Sequence, residues 1–218
     1  MKYLIINGSP HKGNTWKLVC LVKEQLLNID QSCDFKEIHI SKLQLPFCTG
    51  CSICFRIGHE SCPHNKIMLD IIYEIEQADG IIFSSTTFNM KETALLKNFF
   101  DHLCFMLHRP HFFRSKAMII TTAGGFGSKS AAKSISSFLY GIGFNKCYLF
   151  HVNSLSWNNY QVNTKTKHNL STNINKFYSD IMLEKKYPVK TSVLIPYNLF
   201  RGMSSEKVSE YLTQDNIY

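Results

Sequence analysis

Lys2-Tyr3-Leu4-Ile5-Ile6-Asn7-Gly8-Ser9-Pro10-His11-Lys12-Gly13-Asn14-Thr15 is the stretch that decides the fold. Tyr3 to Ile6 is a short apolar run of the length of a buried strand. Gly8, Ser9, Pro10 and Gly13 break it. Asn14 and Thr15 can cap a helix, and Trp16 to Leu27 continues with apolar residues at helical spacing. Strand, small-residue loop, helix is the expected order. Such a loop presents free backbone N–H groups and hydroxyls at a helix N-terminus, where the helix dipole favours an anion. It lacks the Lys-Ser or Lys-Thr of a nucleoside-triphosphate loop and the Gly-x-Gly-x-x-Gly of the usual dinucleotide turn. A ligand-free turn of an α/β fold would share its general character.

The specific string narrows the reading. Gly8-Ser9-Pro10-His11-Lys12-Gly13-Asn14-Thr15 resembles the FMN phosphate loop of the flavodoxin-like NAD(P)H-dependent oxidoreductases, the NADPH-dependent FMN reductase family. The usual form there is Gly-Ser-Pro-Arg and, after a short gap, Asn-Thr. His11 stands where Arg is common. The resemblance implies that Ser9, His11, Asn14 and Thr15 hold the phosphate of FMN.

Composition sets the frame. A chain of 218 residues, 44 % of them hydrophobic, suits one globular core with an extension rather than a disordered chain. No apolar run approaches the ~18 residues of a membrane span, and Asn7 to Pro10 interrupts the N-terminal apolar stretch too early for a signal peptide. A cytoplasmic protein is expected. Eight cysteines then suggest metal, redox or free thiols rather than a disulfide frame. The net charge of +8 could attract phosphates, but the basic residues are scattered and form no run. A solvated basic surface is the plainer reading, and a nucleic-acid partner is not expected.

Further strands are expected over Phe35 to Ile40, Gly80 to Ser84, Ala117 to Thr122 and Lys146 to Val152. Helices are expected over Met68 to Ala78, with Leu69, Ile72, Ile75 and Gln77 toward one side, over Glu92 to Leu107, and over Ser130 to Leu139. Alternating strands and helices predict parallel βαβ units. The fold class is α/β: a flavodoxin-like three-layer sandwich with a five-stranded parallel sheet of order 2-1-3-4-5. Residues 1–152 form the expected FMN-binding domain. Residues 153–218 read as a helical C-terminal extension, packed on the core or on another subunit. Lys165 to Lys186 would be one helix of it, stopped by Pro188, and Ser204 to Thr213 a last short one.

In an open α/β sheet the ligand lies beyond the carboxyl ends of the strands, where strand order reverses. Two more loops belong there. Thr86-Thr87-Phe88-Asn89, followed by a helix containing Leu96-Lys97-Asn98-Phe99-Phe100-Asp101, resembles the family's second signature, Pro-x-Tyr and then Leu-Lys-x-Phe-x-Asp. Thr86 replaces Pro, and Phe88 replaces Tyr, keeping a flat apolar face without the hydroxyl. The resemblance implies that Thr86, Thr87, Phe88 and Asn89 line the flavin ring. Ala123, Gly124 and Gly125, after the fourth strand, resemble the family's small-residue loop over the pyrimidine end. Paired glycines let backbone approach a flat ring.

Cys48, Cys51, Cys54 and Cys62 are spaced C-x2-C-x2-C-x7-C. Two-residue gaps let thiolates converge, as in Fe–S sites. The motif resembles the compact cysteine motif of the iron–sulfur flavoproteins, which carry FMN and a [4Fe–4S] cluster. Free or redox-active thiols, and zinc on Cys48, Cys51, Cys62 and His64, remain open alternatives. Cys20, Cys33, Cys104 and Cys147 are isolated and read as packed thiols. His102, His108, Arg109, His111 and Arg114 follow a helix end, where cations oppose the dipole. A contact to nicotinamide-cofactor phosphates is the alternative.

The function implied by the resemblance is an FMN-dependent oxidoreductase passing hydride from NAD(P)H, through FMN N5, to a quinone, a flavin or another small acceptor. No side chain is expected as a catalytic group, because the cofactor carries the chemistry. The alternative is an electron carrier, with FMN and a [4Fe–4S] cluster served by a ferredoxin-like partner. A non-catalytic basic nucleic-acid module is the third reading. A homodimer or homotetramer is expected, and no membrane partner.

Overall fold

A computed structural model describes residues 1–156 and 160–203. The helix expected over Ser204 to Thr213 lies outside the described residues. The strands β1 (Lys2–Asn7), β2 (Asp34–His39), β3 (Gly80–Thr86), β4 (Lys116–Ala123) and β5 (Lys146–Asn153) form one parallel sheet of order β2-β1-β3-β4-β5. The sequence-based strand order is the observed one. β3 and β4 carry unbroken apolar runs, Ile81 to Phe83 and Ala117 to Ile120, because helices cover both their faces.

The helices are α1 (Asn14–Ile29), α2 (Ile53–Arg56), α3 (Asn65–Gln77), α4 (Ala94–Asp101), α5 (Ser128–Gly141), α6 (Thr164–Met182) and α7 (Thr191–Met203). Side chains alternate across the sheet. Leu4, Ile6, Ile81, Phe83, Ala117 and Ile119 meet α3, α4 and α5 on one face. Tyr3, Ile5, Ile82, Met118 and Ile120 meet α1 and α6 on the other. Leu170, Ile174 and Phe177 of α6 are fully buried there, so α6 fills the layer beside α1. Among the described residues no helix is long and apolar enough to cross a membrane.

Several expectations change in detail. The helix expected over Glu92 to Leu107 is two pieces. Thr93 caps α4 by accepting the Leu96 N–H at 3.2 Å, and α4 ends at Asp101. A separate 3-10 turn covers Cys104–Leu107. The buried side of α3 is Met68, Ile71, Ile72 and Ile75; Leu69 is half-buried and Gln77 exposed. α6 stops at Met182, before Pro188 is reached. Glu184 takes a left-handed φ of 45°, its N–H bonds to the Ile181 carbonyl, and the Lys185 N–H bonds to the Asp180 carbonyl. That pairing is a Schellman end, built without glycine. α7 was not anticipated. Cys20, read as packed, is exposed, whereas Cys33 and Cys147 are buried.

Candidate functional site

In register, Asn7 of β1 lies beside Ser84 of β3, and Thr86 of β3 beside Thr122 of β4. The carboxyl ends of the three central strands therefore open on one edge. Asn7 ends β1 by accepting Ser84 Oγ–H at 2.8 Å and the Ser9 N–H at 3.3 Å. The Gly8 N–H donates to the Ser84 carbonyl at 2.8 Å. A Cβ on Gly8 would lie 2.6 Å from Leu96 Cβ, so only glycine lets the loop sit against α4.

Beyond Gly8 the loop turns its polar groups toward the strand ends. Ser9 is buried, and its Oγ accepts the Thr86 N–H at 2.9 Å. A hydroxyl that accepts there keeps its own hydrogen for donation. α1 starts after Gly13 with no side-chain cap and no acidic residue in its first turn. The positive end of its dipole therefore meets this loop with no acidic side chain to offset it, a setting that favours an anion. Thr15 Oγ1 and Thr122 Oγ1 meet at 2.5 Å, fixing that turn to the end of β4. Asn14 spans the other way: its Nδ2 donates to the Ser156 carbonyl at 3.3 Å, and its Oδ1 accepts the Tyr160 N–H at 3.4 Å. His11 is exposed.

The second loop is a tight reversal. Phe88 and Lys91 exchange backbone hydrogen bonds of 3.0 and 2.9 Å, and Asn89 and Met90 both have positive φ, 48° and 65°. Two consecutive positive φ values make a type I′ turn. It leaves the Phe88 ring 51 % exposed. Thr87 Oγ1 is buried without a hydrogen-bond partner. A buried hydroxyl in that state is costly unless a ligand satisfies it.

The third loop leaves β4 at Ala123, whose carbonyl accepts the Ser154 N–H at 2.8 Å. A Cβ on Gly125 would meet nothing within 4 Å, so open space faces that backbone. Gly127 has φ +100°, and a Cβ there would lie 2.6 Å from Met90 Sδ. It packs the third loop against the second.

Every residue expected from the three loops lines one cleft of about 620 Å³. Ser9, His11, Asn14 and Thr15 stand on one side, Thr86 to Asn89 on another, and Ala123 to Gly125 on the third. The volume falls in the range of small-molecule sites. Gly13, Thr122, Phe126, Ser154 and Ser156 also line it. Thr122 could have been named, since it closes a strand. The two serines sit in an Asn- and Ser-rich segment that carries no motif.

Cys48, Cys51, Cys54 and Cys62 line a second, smaller cavity of about 70 Å³. Asn98 of α4 anchors its rim. Its Oδ1 accepts the Cys48 N–H at 3.1 Å, and its Nδ2 donates to the Leu45 and Pro46 carbonyls at 3.3 and 3.0 Å. Cys104, read from sequence as an isolated packed thiol, lines the same cavity. Its place in a 3-10 turn after α4, rather than on a continuous helix, brings it there. Burial pushes its thiol up to about 11, with the charges of Cys54 and Cys48 adding to the effect. Burial likewise raises Cys54, helped by Cys62, although a backbone hydrogen bond opposes it. His102 closes α4, His108 meets the Phe55 ring edge-on, and His111 bonds Glu76 at 2.8 Å.

Comparison with known proteins agrees with this geometry. The model of the family described as NADPH-dependent FMN reductase matches residues 1–153. A protein of Clostridioides difficile named iron-sulfur flavoprotein is 25 % identical over 95 % of this chain and 92 % of its own length. One of the same name from Archaeoglobus fulgidus is 32 % identical over 50 % of this chain and 49 % of that one. Among solved structures, a flavoenzyme NAD(P)H:(acceptor) oxidoreductase from Paracoccus denitrificans superposes with a TM-score of 0.60. It is 17 % identical and covers 84 % of this chain and 98 % of that one, a likeness of fold.

Proposed function

The chain belongs to the NADPH-dependent FMN reductase family of FMN-containing oxidoreductases, and on that premise we propose that the three-loop cleft binds FMN and passes reducing equivalents from NAD(P)H to a quinone, a flavin or another small acceptor. The observation that carries the reading is the convergence of the loops. An uncapped helix start, a hydroxyl with a hydrogen to give and open space before Gly125 meet at one cleft, which Thr87, with its partnerless buried hydroxyl, also lines.

The parts divide the work. Ser9, Thr15 and the start of α1 cradle the phosphate, with Asn14 bonded to Ser156 and Tyr160 beside it and His11 at the rim. Thr86, Thr87 and Asn89 hold the ring edge, the Phe88 ring supplies an apolar wall, and Ala123 to Gly125 offer close backbone. When bound, FMN supplies hydride acceptance and return at N5. The residues around it exclude water and hold the dinucleotide and the acceptor in turn against one face.

Phe88 and Phe126 of the cleft lining, and Met90 and Leu155 next to lining residues in the chain, are 51, 80, 52 and 79 % exposed. This apolar rim supports a homodimer or homotetramer in which a second subunit covers it. Free thiols at all eight cysteines suit a reducing, cytoplasmic setting.

The test is titration of the full chain with FMN, followed by NADPH or NADH without oxygen. Quenching of flavin fluorescence at one FMN per chain, then bleaching of the flavin absorbance and its return on adding a quinone, is the expected result. A chain that leaves FMN fluorescence unchanged overturns the reading.

A second reading adds to the first. Cys48, Cys51, Cys54 and Cys62 share one cavity, and full-length and partial relatives are named iron-sulfur flavoproteins. A [4Fe–4S] cluster on these thiolates would make the protein an electron carrier served by a ferredoxin-like partner. Iron and acid-labile sulfide, measured on protein purified without oxygen, separate the two: about four irons per chain favour the carrier, and none favours the reductase alone.

A further inference from the structure

His39 closes β2 and touches both flanks of the loop that opens the flavin cleft. In register it lies beside Asn7, the last residue of β1. Its Nδ1 stands 3.1 Å from Asn7 Nδ2, and its ring packs on Trp16, in the first turn of α1, with centroids 4.7 Å apart. Gly8 to Gly13 run between those two contacts. His39 is not among the residues that line the cleft. We propose that His39 is a positioning residue for the flavin phosphate: as a neutral hydrogen-bond acceptor it fixes the Asn7 amide and, through it, the Ser9 end of the phosphate loop. The inference rests on the flavin reading of the cleft and extends it to a strand that lends the cleft no lining residue.

The hydrogen bonds leave one arrangement. Asn7 Oδ1 accepts the Ser84 Oγ–H at 2.8 Å and the Ser9 N–H at 3.3 Å. Its Nδ2 therefore faces His39, and an amide nitrogen only donates. His39 Nδ1 must keep its lone pair, which puts the ring hydrogen on Nε2. Glu37 Oε2 lies 3.4 Å from Nε2 and accepts that hydrogen. Burial works against the Glu37 charge. Lys23, bonded to it at 2.5 Å, together with His39 and Lys12, outweighs burial and holds its carboxyl below the ordinary range. An ionised Glu37 thus selects the tautomer that Asn7 needs.

Asn7 is 1 % exposed. Without the imidazole acceptor, its amide nitrogen keeps, among the described residues, the Ser9 carbonyl at a long 3.5 Å. A buried donor so poorly paired is costly. Rotating the amide offers no escape, because Nδ2 would then meet the Ser9 N–H, donor against donor. Ser9 is where the disturbance reaches the ligand. Its Oγ accepts the Thr86 N–H at 2.9 Å and keeps its own hydrogen for an anion. The hydrogen bonds of the His39 ring go to Asn7 and Glu37, not to the loops at 86–89 and 123–125 that hold the flavin ring. FMN should therefore feel the loss of His39. Riboflavin, which has the same ring and no phosphate, should not.

The test titrates the full chain with FMN and, separately, with riboflavin, followed by flavin fluorescence. The parent is compared with His39→Phe, His39→Leu and His39→Asn. Phenylalanine keeps a ring on Trp16 and removes the acceptor. Asparagine gives up the ring and keeps an oxygen where Nδ1 stood. His39→Phe should weaken FMN by roughly fivefold to tenfold, the worth of one net hydrogen bond, with riboflavin unchanged. His39→Asn should recover most of the parent's preference for FMN. β2 is an edge strand, and circular dichroism checks that each variant folds; His39→Leu is the second acceptor-free variant should phenylalanine not fit. Acceptor-free variants that keep the parent's preference for FMN over riboflavin overturn the proposal. So does an asparagine variant that falls as far as they do, which would place the effect in the packing on Trp16. An equal loss for both flavins overturns it too, as a general loosening. The parent's own titrations judge the flavin reading separately. A parent that binds neither flavin sinks that reading and this inference together, whereas a preference for FMN shared by parent and variants sinks this inference alone.

Discussion

The Thr93 hydroxyl donates to the Gly8 carbonyl at 2.6 Å while accepting the Leu96 N–H at 3.2 Å. One side chain thus caps α4 and pins the loop that leaves β1. Thr93→Val keeps the shape and removes both bonds. Loss of an N-cap alone costs about 0.5–2 kcal/mol, and the freed Gly8 carbonyl is buried against α4. The expected result is a fall of that size in unfolding free energy by urea denaturation, with FMN affinity weakened as the loop loosens. Thr93→Ser, which keeps the hydroxyl, should recover most of both. Equal behaviour of the two variants would show that the hydroxyl does not fix the loop.

Gly127 joins two walls of the cleft. Its φ of +100° is one that side chains rarely adopt, and a Cβ there meets Met90 Sδ at 2.6 Å and Met90 Cα at 3.0 Å. The methionine tail can swing away, but its backbone sits in a type I′ turn and cannot. Gly127→Ala should therefore cost on the order of 1–3 kcal/mol in strain and push the Phe88 turn outward. A drop in FMN affinity that exceeds the drop in stability is expected, read by fluorescence titration beside thermal unfolding. Gly125→Ala has open space before it, so its effect should appear only with the flavin present.

These two positions show what the sequence carried and what it did not. β3 was legible because Gly80 to Ser85 are buried and Ile81-Ile82-Phe83 is the unbroken apolar run that a strand covered on both faces requires. The three loops were legible because each follows such a strand. α7 and the serines at 154 and 156 were not. Ser156 reaches the cleft through Asn14, a hydrogen bond across 142 positions, and no local periodicity encodes that. Cys104 was misread for a related reason. Apolar spacing continued from Phe99 to Leu107, but the chain broke at His102, whose ring bonds Pro46, 56 residues away. Long-range polar bonds end elements where hydrophobic pattern predicts continuation.

Asp180 anchors the segment after α6. Both Tyr148 and Tyr187 donate their hydroxyls to it, and Lys185 lies 3.7 Å away. Burial works to raise its pKa, but the two tyrosine bonds, with Lys185 and Lys176, outweigh it and hold the carboxylate below its ordinary range. A group depressed on folding stabilises the protein above its unfolded value, about 3.9 for Asp, and that contribution is lost as pH falls through the lower folded value. Asp180→Asn should be less stable than the parent near neutral pH, with the gap closing below about pH 4. Urea midpoints followed down the acid limb measure this. A gap that stays constant would mean that the carboxylate's charge contributes nothing.

Thr87 offers a test in which apo and loaded protein move in opposite directions. Its Oγ1 is buried in the chain alone and bonds to nothing, yet the residue lines the cleft beside Phe88. An unsatisfied buried hydroxyl costs about 1–3 kcal/mol, so removing it should help the empty protein. Thr87→Val keeps the branched shape and its methyl contact toward Gly127. If FMN accepts or donates a hydrogen bond at Thr87, the variant should unfold at higher urea than the parent without flavin and bind FMN more weakly, by about fivefold to tenfold for one net bond of roughly 1 kcal/mol. A purely structural threonine gives a different pattern: the same stability change with and without FMN, and unchanged affinity. The sign of the difference between the two conditions therefore decides whether this hydroxyl was left open for the ligand.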